Sequence, residues 1–244
     1  MPKLKTLHLQ PYMKKTGLSV FILFCCFASL AQESKTPEVS EKAVPAVRED
    51  QLMLDFNWNY LLNTPDSVKI SGASWGFNAK LMYDVPIQKS NFSFALGGAI
   101  STANFYSNSE VKTFNQGTDS SFSAFVPIDE SRNYKRNKYT VTYADIPAEL
   151  RYRSKPDKRG FRWKVAVGAQ IGYHLQTHSK IIEDSKKFKT YDFQNFEKWR
   201  YGASLRVGYG KVAITGFYSA TSIFEENKGA FHNPISIGIT LMPF

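Results

Sequence analysis

From residue 51 to its end, the sequence alternates between apolar and polar residues with a period of two, and the pattern recurs in eight segments. A period of two is typical of β-strands that have one wet and one dry face. In the most regular segment, residues 161–176, apolar and aromatic residues occupy the odd positions, and charged, polar or small residues occupy the even ones. The sequence therefore predicts an all-β protein of about eight antiparallel strands.

The chemistry of the two faces favours a membrane barrel over a soluble one. The polar face is rich in charges and glycine, as in the lumen of a narrow membrane barrel, whereas a soluble lipocalin-like barrel has an apolar lumen. Aromatic residues lie near the segment ends, which is typical of interfacial girdles. The segments exceed the ~9–11 residues that a tilted strand needs to cross a bilayer. We expect an eight-stranded antiparallel transmembrane β-barrel, with the lipocalin-like barrel as the alternative.

The connections between the segments alternate in length, as they do in barrels with short periplasmic turns and long extracellular loops. The short turns are Pro86–Asn91, Ser154–Gly160 and Gly208–Lys211, and the long connections are Leu62–Ser71, Tyr106–Lys138, Thr177–Asn195 and Phe224–Asn233. Residues 106–138 are expected to form a long surface loop. The alternation in the fourth segment, Tyr139–Arg153, changes phase near residues 144–146, and this predicts a β-bulge there.

The N-terminal region is typical of an exported protein. Residues 1–31 combine lysines with the apolar run Gly17–Leu30 and a small-residue cleavage site at Ala31, which predicts a signal peptide. The run is shorter than the ~20 residues of a spanning helix, so a retained anchor is the less favoured alternative. Residues 32–50 are polar and Pro-containing, and we expect a disordered periplasmic tail before the barrel at 51–244. The expected location is the outer membrane.

Charged residues on the inward face are expected to form a structural network in the lumen. An eight-stranded barrel has room for side chains but not for an open pore, so charges inside it must pair or stay wet. The predicted members are Asp55, Asp84, Glu149, Arg151, Arg153, Arg162, Lys164 and Arg206. The alternative is an anion-binding pocket. We expect no catalytic residue, no metal ligand and no cofactor, and the sequence assigns no binding residue.

Two weaker patterns keep an enzymatic alternative open, in which the barrel modifies lipids as an acyltransferase or a phospholipase. Gly72–Gly76 matches G-x-S-x-G around Ser74, although a nucleophile elbow needs a helix after it. His174 and His178 are expected to share the lumen face, and His232 is an unspecific third partner for a metal site. The candidates for catalysis are Ser74, Glu149 and His174. The expected topology places Glu149 near the periplasmic end and His174 near the outer end, and so keeps these two apart.

The segment Tyr143–Arg153, with the sequence YADIPAELRYR, resembles the Y-x-x-I-P-x-x-x-K/R-Y strand of the PorT-like outer-membrane barrels of Bacteroidota. The eight-strand plan and the terminal Phe244 are similar to that family too. The resemblance implies an envelope barrel with a structural, secretion or transport accessory role, since the name-giving member takes part in protein secretion.

The charge of the chain bears on its partners. Four of its 31 basic residues lie in the predicted signal peptide, so 27 basic and 21 acidic residues follow it. This spread-out excess does not argue for nucleic acid. Lys186, Lys187 and Lys189 lie in an outer loop and are candidates to contact lipopolysaccharide phosphates. The expected partners are outer-membrane lipids, lipopolysaccharide and envelope or secretion proteins.

Overall fold

The computed structural model describes residues 50–243 except 89, 116–120, 130, 185 and 192. The predicted signal peptide, the tail up to residue 49 and Phe244 lie outside the described residues. The strands are β1 (Leu52–Leu62), β2 (Trp75–Pro86), β3 (Phe92–Tyr106), β4 (Ser109–Asn115), β5 (Ser121–Pro127), β6 (Tyr134–Arg153), β7 (Trp163–Glu183), β8 (Lys186–Thr190), β9 (Trp199–Tyr209), β10 (Val212–Ser219) and β11 (Asn233–Leu241).

Eight of these strands close into an antiparallel barrel, as the sequence predicts. Around the barrel they follow the order β1, β2, β3, β6, β7, β9, β10 and β11, and pairing of β11 with β1 completes the ring. Apart from the closing pair of β1 and β11, each strand pairs with the strands nearest to it along the chain once the short outer strands are set aside. Closure leaves no unpaired edge in the barrel wall, so every wall strand has its backbone bonded on both sides.

The two faces of the wall differ as the alternation predicts. In β1, Met53, Asp55, Asn57 and Asn59 are buried inside, whereas the residues between them point outward. The outward face is apolar and exposed, with exposed fractions reaching 67% for Leu81 and 68% for Ile214. A continuous apolar surface of this size is stable only against lipid or another apolar surface.

The predicted bulge at residues 144–146 of the fourth barrel strand is wrong. In β6, every odd residue from Asn137 to Arg153 is buried, so the strand keeps one phase. The pairing shifts instead between Thr142 and Tyr143, where Leu175 is the extra residue on the partner strand β7. The inward residues of β6 change from aromatic to charged at this height, and this change of chemistry imitates a change of phase.

One end of the barrel has short turns and the other has long connections; we name them the turn end and the loop end. At the turn end, the Asp157 carboxylate accepts hydrogen bonds from the backbone N–H groups of Arg159 and Phe161 and from the Tyr209 hydroxyl. The bond from Tyr209 and the backbone donors lower the pKa of Asp157. Gly160 and Gly210 complete these turns with φ of 82° and 62°, a conformation that suits glycine.

The loop end is more ordered than the expected surface loop at residues 106–138. Strands β4 and β5 form a hairpin inside this connection, and β8 adds to the outer part of β7. Phe125 of β5 is 6% exposed and packs with residues from several other connections. The connection therefore folds over the barrel mouth, because it carries apolar residues that are buried there.

Candidate functional site

Glu149 lies at the centre of an ionic network in the half of the lumen nearer the turn end. Its carboxylate accepts hydrogen bonds from Arg151 Nε at 2.9 Å and from Arg206 Nη2 at 2.5 Å. Arg151 follows two residues later on the same inward face of β6, whereas Arg206 comes from β9. The carboxylate therefore ties together two strands that are separated by β7.

A second group of ions extends this network to the turn end. Asp84 on β2 accepts from Arg151 at 3.3 Å and from Arg153 at 2.9 Å, and Ser93 also donates to it. Arg153 contacts Asp50 at 3.3 Å, and Lys164 Nζ lies 2.6 Å from the same carboxylate. Asp50 is 4% exposed. The last residue assigned to the disordered tail is thus a member of the lumen network.

Two more ion pairs lie higher in the lumen. Lys80 Nζ is 2.9 Å from Asp55, which also accepts from Thr240. Arg200 donates to both carboxylate oxygens of Asp145 at 2.8 and 2.9 Å. The Arg200 guanidinium also lies 4.0 Å from the centre of the Tyr143 ring, a cation–π distance.

The structure therefore places most of the predicted charged residues inside the barrel in mutual contact. Arg162 lies at the turn end, where it is half-buried and lines a pocket of about 320 Å³ with Asp50, Lys164 and Lys211. The sequence interpretation omitted four members: Asp50, Lys80, Asp145 and Arg200. Lys80 and Arg200 lie on inward positions of the apolar–polar alternation, so this pattern alone places them in the lumen network. Asp145 was omitted because the bulge wrongly predicted at residues 144–146 left its direction unassigned.

Polar residues fill the middle of the lumen with little free space. A cavity of about 20 Å³ lies between Asn59, Lys80, Arg200 and Thr215. A single water molecule needs roughly 10–15 Å³ on this measure, so the cavity is of one-water size. Asn59 and Arg200 line this cavity, and Asn59 Nδ2 and Arg200 Nε are buried without a hydrogen-bond partner among the described residues.

An aromatic cluster fills the lumen at the loop end, where the sequence predicted polar contents; we call it the aromatic cap. Its buried members come from the wall and the connections on all sides. They are Leu61, Val68, Phe105, Phe125, Tyr139, Val141, Tyr143, Phe196, Ile223 and Phe224. The Phe196 and Phe224 ring centres are 5.0 Å apart, and Phe125 lies 5.5 Å from Phe224 and 5.8 Å from Tyr139. These distances are those of packed aromatic pairs.

Hydrogen bonds hold the outer connections in place around this cap. Ser123 in β5 donates to the Gln194 carbonyl at 3.2 Å, and the Asn195 amide donates to Ser121 and Ser123 at 3.0 and 3.1 Å. His232 packs 5.5 Å from Phe125, and its Nδ1 lies 3.0 Å from the Asn63 carbonyl. Burial lowers the pKa of His232, which favours the neutral ring in this apolar setting.

The candidates for other chemistry are dispersed. His174 stacks near Phe196 and contacts Thr177, whereas His178 packs against Tyr191. The expectation that the two histidines share one face is wrong, because the bulge at Leu175 lies between them. Ser74 is 1% exposed, and its Oγ accepts from the Tyr106 N–H. The described part of the chain contains no group of three His, Cys, Asp or Glu that could hold a metal ion.

Comparison with known families decides the class of this barrel. The family model of the outer membrane protein beta-barrel domain matches residues 40–223. The chain belongs to this family. Searches of curated proteins and of solved structures found no match. No helix in the described part of the chain is long and apolar enough to cross a membrane.

Membership in the outer membrane protein beta-barrel domain family explains the outward surface. The exposed apolar band faces lipid, and exposed aromatics border it at both ends. Trp58, Trp75, Tyr173 and Trp199 lie towards the loop end, and Tyr83, Phe92, Tyr152, Phe161, Trp163 and Tyr209 lie towards the turn end. The turn end is therefore periplasmic and the loop end extracellular, as is usual for this class.

The tight packing of the lumen predicts a cost for adding even one methyl group. A Cβ on Gly172 would collide with the Asp145 carboxylate, at 3.2 Å from its Cγ, and would lie 3.4 Å from Arg200 Nε. We expect Gly172→Ala to destabilise the folded barrel by about 1–3 kcal/mol, the usual cost of overpacking. Thermal unfolding in detergent measures the effect. Gly98→Ala is the control, because that Cβ meets nothing within 4 Å; an equal loss in both variants would contradict the packing account.

Proposed function

We propose that this outer-membrane barrel is a non-conducting, non-enzymatic protein that acts through its outer surface, in a structural or accessory role in the envelope. The single observation that supports the proposal is the filled lumen. The ionic network occupies the periplasmic half and the aromatic cap occupies the extracellular mouth. Small barrels whose interior is filled by side chains leave no aqueous path.

Energetics support the same conclusion. An ion that moved through the lumen would have to displace Arg206 from Glu149, or Arg200 from Asp145, and each of these pairs is buried. Separating a buried ion pair costs several kcal/mol, because each charge loses its partner without gaining full hydration. The moving ion would then have to pass between the packed aromatic rings of the cap at the extracellular mouth.

Electrical recording tests this proposal. We expect the purified full-length protein to give no stepwise conductance in planar bilayers in concentrated KCl, whereas a water-filled porin reconstituted in the same way gives regular steps. Insertion is verified by protease protection of the same bilayer preparation. Uniform conductance steps from correctly folded protein would contradict the proposal.

The lipid-modifying alternative gains no support from the arrangement of its candidate residues. Glu149 is held by two arginines, and it lies six residues along β6 from Tyr143, the residue that pairs with His174. At about 3.3 Å per residue this separation is about 20 Å. We expect a deletion strain to keep its lipid A and phospholipid profile. A changed profile that wild type restores but Ser74→Ala or His174→Ala does not would favour the enzyme.

We further propose that the protein belongs with the PorT-like barrels of Bacteroidota and acts as an accessory component in secretion or transport. The support is the segment Tyr143–Arg153, which resembles the characteristic strand of that group. Cross-linking in the native membrane followed by pull-down tests this assignment. We expect other envelope proteins to be captured through the extracellular or periplasmic connections, and recovery of the barrel alone would contradict an accessory role.

A further inference from the structure

A row of basic residues crosses the outer part of the sheet, on the extracellular side of the girdle of exposed aromatic residues at the loop end. Tyr106 on β3 pairs with Lys138 on β6, Lys138 pairs with Lys180 on β7, and Lys180 pairs with Lys189 on β8. Side chains at paired positions lie on the same face, with Cβ atoms about 4.5–5.5 Å apart. Three lysines are therefore direct neighbours across three strands; we call them the lysine row.

The lysine row points away from the barrel axis. Tyr139, which follows Lys138, is packed in the aromatic cap inside the barrel. Because successive side chains of a strand point to opposite faces, Lys138 and its paired lysines face outward. Lys138 and Lys180 are half-buried and Lys189 is exposed.

Like charges placed directly opposite each other destabilise a sheet unless something neutralises them. Among the described residues, no acidic side chain lies within ion-pair distance of the three lysines; Lys138 Nζ instead donates to the side-chain Oδ1 of Asn104 at 2.8 Å. Two described acids of the outer connections, Glu110 and Glu183, are paired instead with Arg132. Arg132 contacts Glu183 at 3.0 Å and Glu110 at 3.4 Å. The row is thus built for an anion that the described chain does not supply.

A groove of about 560 Å³ lies beside the lysine row on the same side of the wall. Trp75 of the extracellular girdle borders it, and Lys69, Lys135 and Arg136 add three more cations. The Arg136 guanidinium lies 5.8 Å from the centre of the Tyr106 ring, which also lines the groove. Ligand sites commonly have volumes of about 300–1,000 Å³, so the groove can accept a phosphorylated sugar unit.

The height of the lysine row above the extracellular girdle indicates which part of the membrane it contacts. Lys180 follows Tyr173, a girdle residue, by seven positions on β7. At about 3.3 Å per residue and a tilt near 45°, it lies roughly 15 Å outside the girdle. An outward-facing side chain at this height meets the phosphorylated sugars of the outer-leaflet glycolipid.

We propose that the lysine row and the adjoining groove bind the phosphate groups of lipopolysaccharide. Lysine ammonium groups bind phosphate as point charges, and several of them together hold a multiply phosphorylated headgroup. This site is on the outside of the wall, so its existence does not depend on whether the lumen conducts.

Binding to defined glycolipids tests the proposal. The full-length protein in neutral detergent with a chelator is titrated with fluorescent lipopolysaccharide, and in parallel with the same glycolipid after enzymatic dephosphorylation. We expect binding of the first and at least tenfold weaker binding of the second. The triple variant Lys138→Gln, Lys180→Gln, Lys189→Gln should lose roughly a hundredfold in affinity, because each basic residue near an anionic lipid surface contributes about a fivefold factor.

A matched control removes three positive charges at the opposite end of the barrel. Lys155, Lys158 and Arg159 are exposed in a periplasmic turn, and changing all three to Gln should leave the affinity unchanged. If both triple variants lost affinity equally, the loss would be an effect of net charge rather than of the lysine row, and this would overturn the proposal. So would full binding of the dephosphorylated glycolipid. Competition by millimolar inorganic phosphate alone would assign the row to free phosphate and also overturn it.

Discussion

Replacing Glu149 with alanine is expected to lower the thermal unfolding temperature of the detergent-folded barrel by on the order of 10 °C. The substitution leaves Arg151 and Arg206 in the lumen without the carboxylate that holds them at 2.9 and 2.5 Å. Removing one partner of a buried ionic network costs about 3–5 kcal/mol, since the remaining charges stay buried and uncompensated. For a protein of this size, each kcal/mol corresponds to roughly 2–4 °C.

Two control substitutions test whether the lower unfolding temperature is specific to Glu149 or follows from the removal of any charged side chain. Glu226 is exposed in an extracellular connection, so Glu226→Ala should leave the unfolding temperature within about a degree. Lys187→Ala on the exposed strand β8 should be equally neutral. If Glu149→Ala and Glu226→Ala unfold at the same temperature, Glu149 is not a buried partner of the arginines.

Replacing Phe224 with alanine is expected to loosen the aromatic cap. Phe224 is 2% exposed, and its ring contacts those of Phe125 and Phe196. Removing a buried phenylalanine ring costs about 3–5 kcal/mol through lost contacts and the cavity left behind. Hydrogen exchange at the Ile223 amide, which donates to the His232 carbonyl at 3.1 Å, measures this loss. We expect exchange to accelerate by roughly a hundredfold to a few thousandfold.

The matched control uses a phenylalanine in the same connection. Phe231 is 63% exposed, so Phe231→Ala removes the same atoms without opening a cavity. Its exchange rates should match those of the unsubstituted protein. Similar acceleration in both variants would mean that the cap is not a packed unit.

Alternation of apolar and polar residues predicted which face of each barrel strand lies inside, because a side-chain period of two follows directly from strand geometry. It also predicted that Glu149, Arg151 and Arg153 point inward together. The same reasoning failed at residues 144–146, because it equated the inward face with polar chemistry. Tyr139, Val141 and Tyr143 point inward as well, and they are apolar because they pack in the cap.

Contacts between distant parts of the chain were beyond sequence reasoning. Phe125 lies in a connection rich in Ser and Thr, and nothing local indicates that it packs against Phe224 almost a hundred residues later. Asp50 lies in a polar segment without periodicity, and its burial depends on Arg153 and Lys164 meeting at the barrel end. Both placements follow from closure of the barrel, which brings these elements together.

The accessibility of a single introduced thiol tests most directly whether the lumen is filled. Thr215 is 7% exposed and borders the mid-lumen cavity, and residues 50–244 contain no cysteine. The full chain carrying Thr215→Cys is treated in its native membrane with a membrane-impermeant maleimide. Lys187→Cys serves as the exposed reference, and the unsubstituted chain gives the background. We expect Thr215→Cys to stay at background until the protein is unfolded, while Lys187→Cys reacts at once; labelling of Thr215→Cys at the rate of Lys187→Cys would show an open, water-filled lumen and contradict the account.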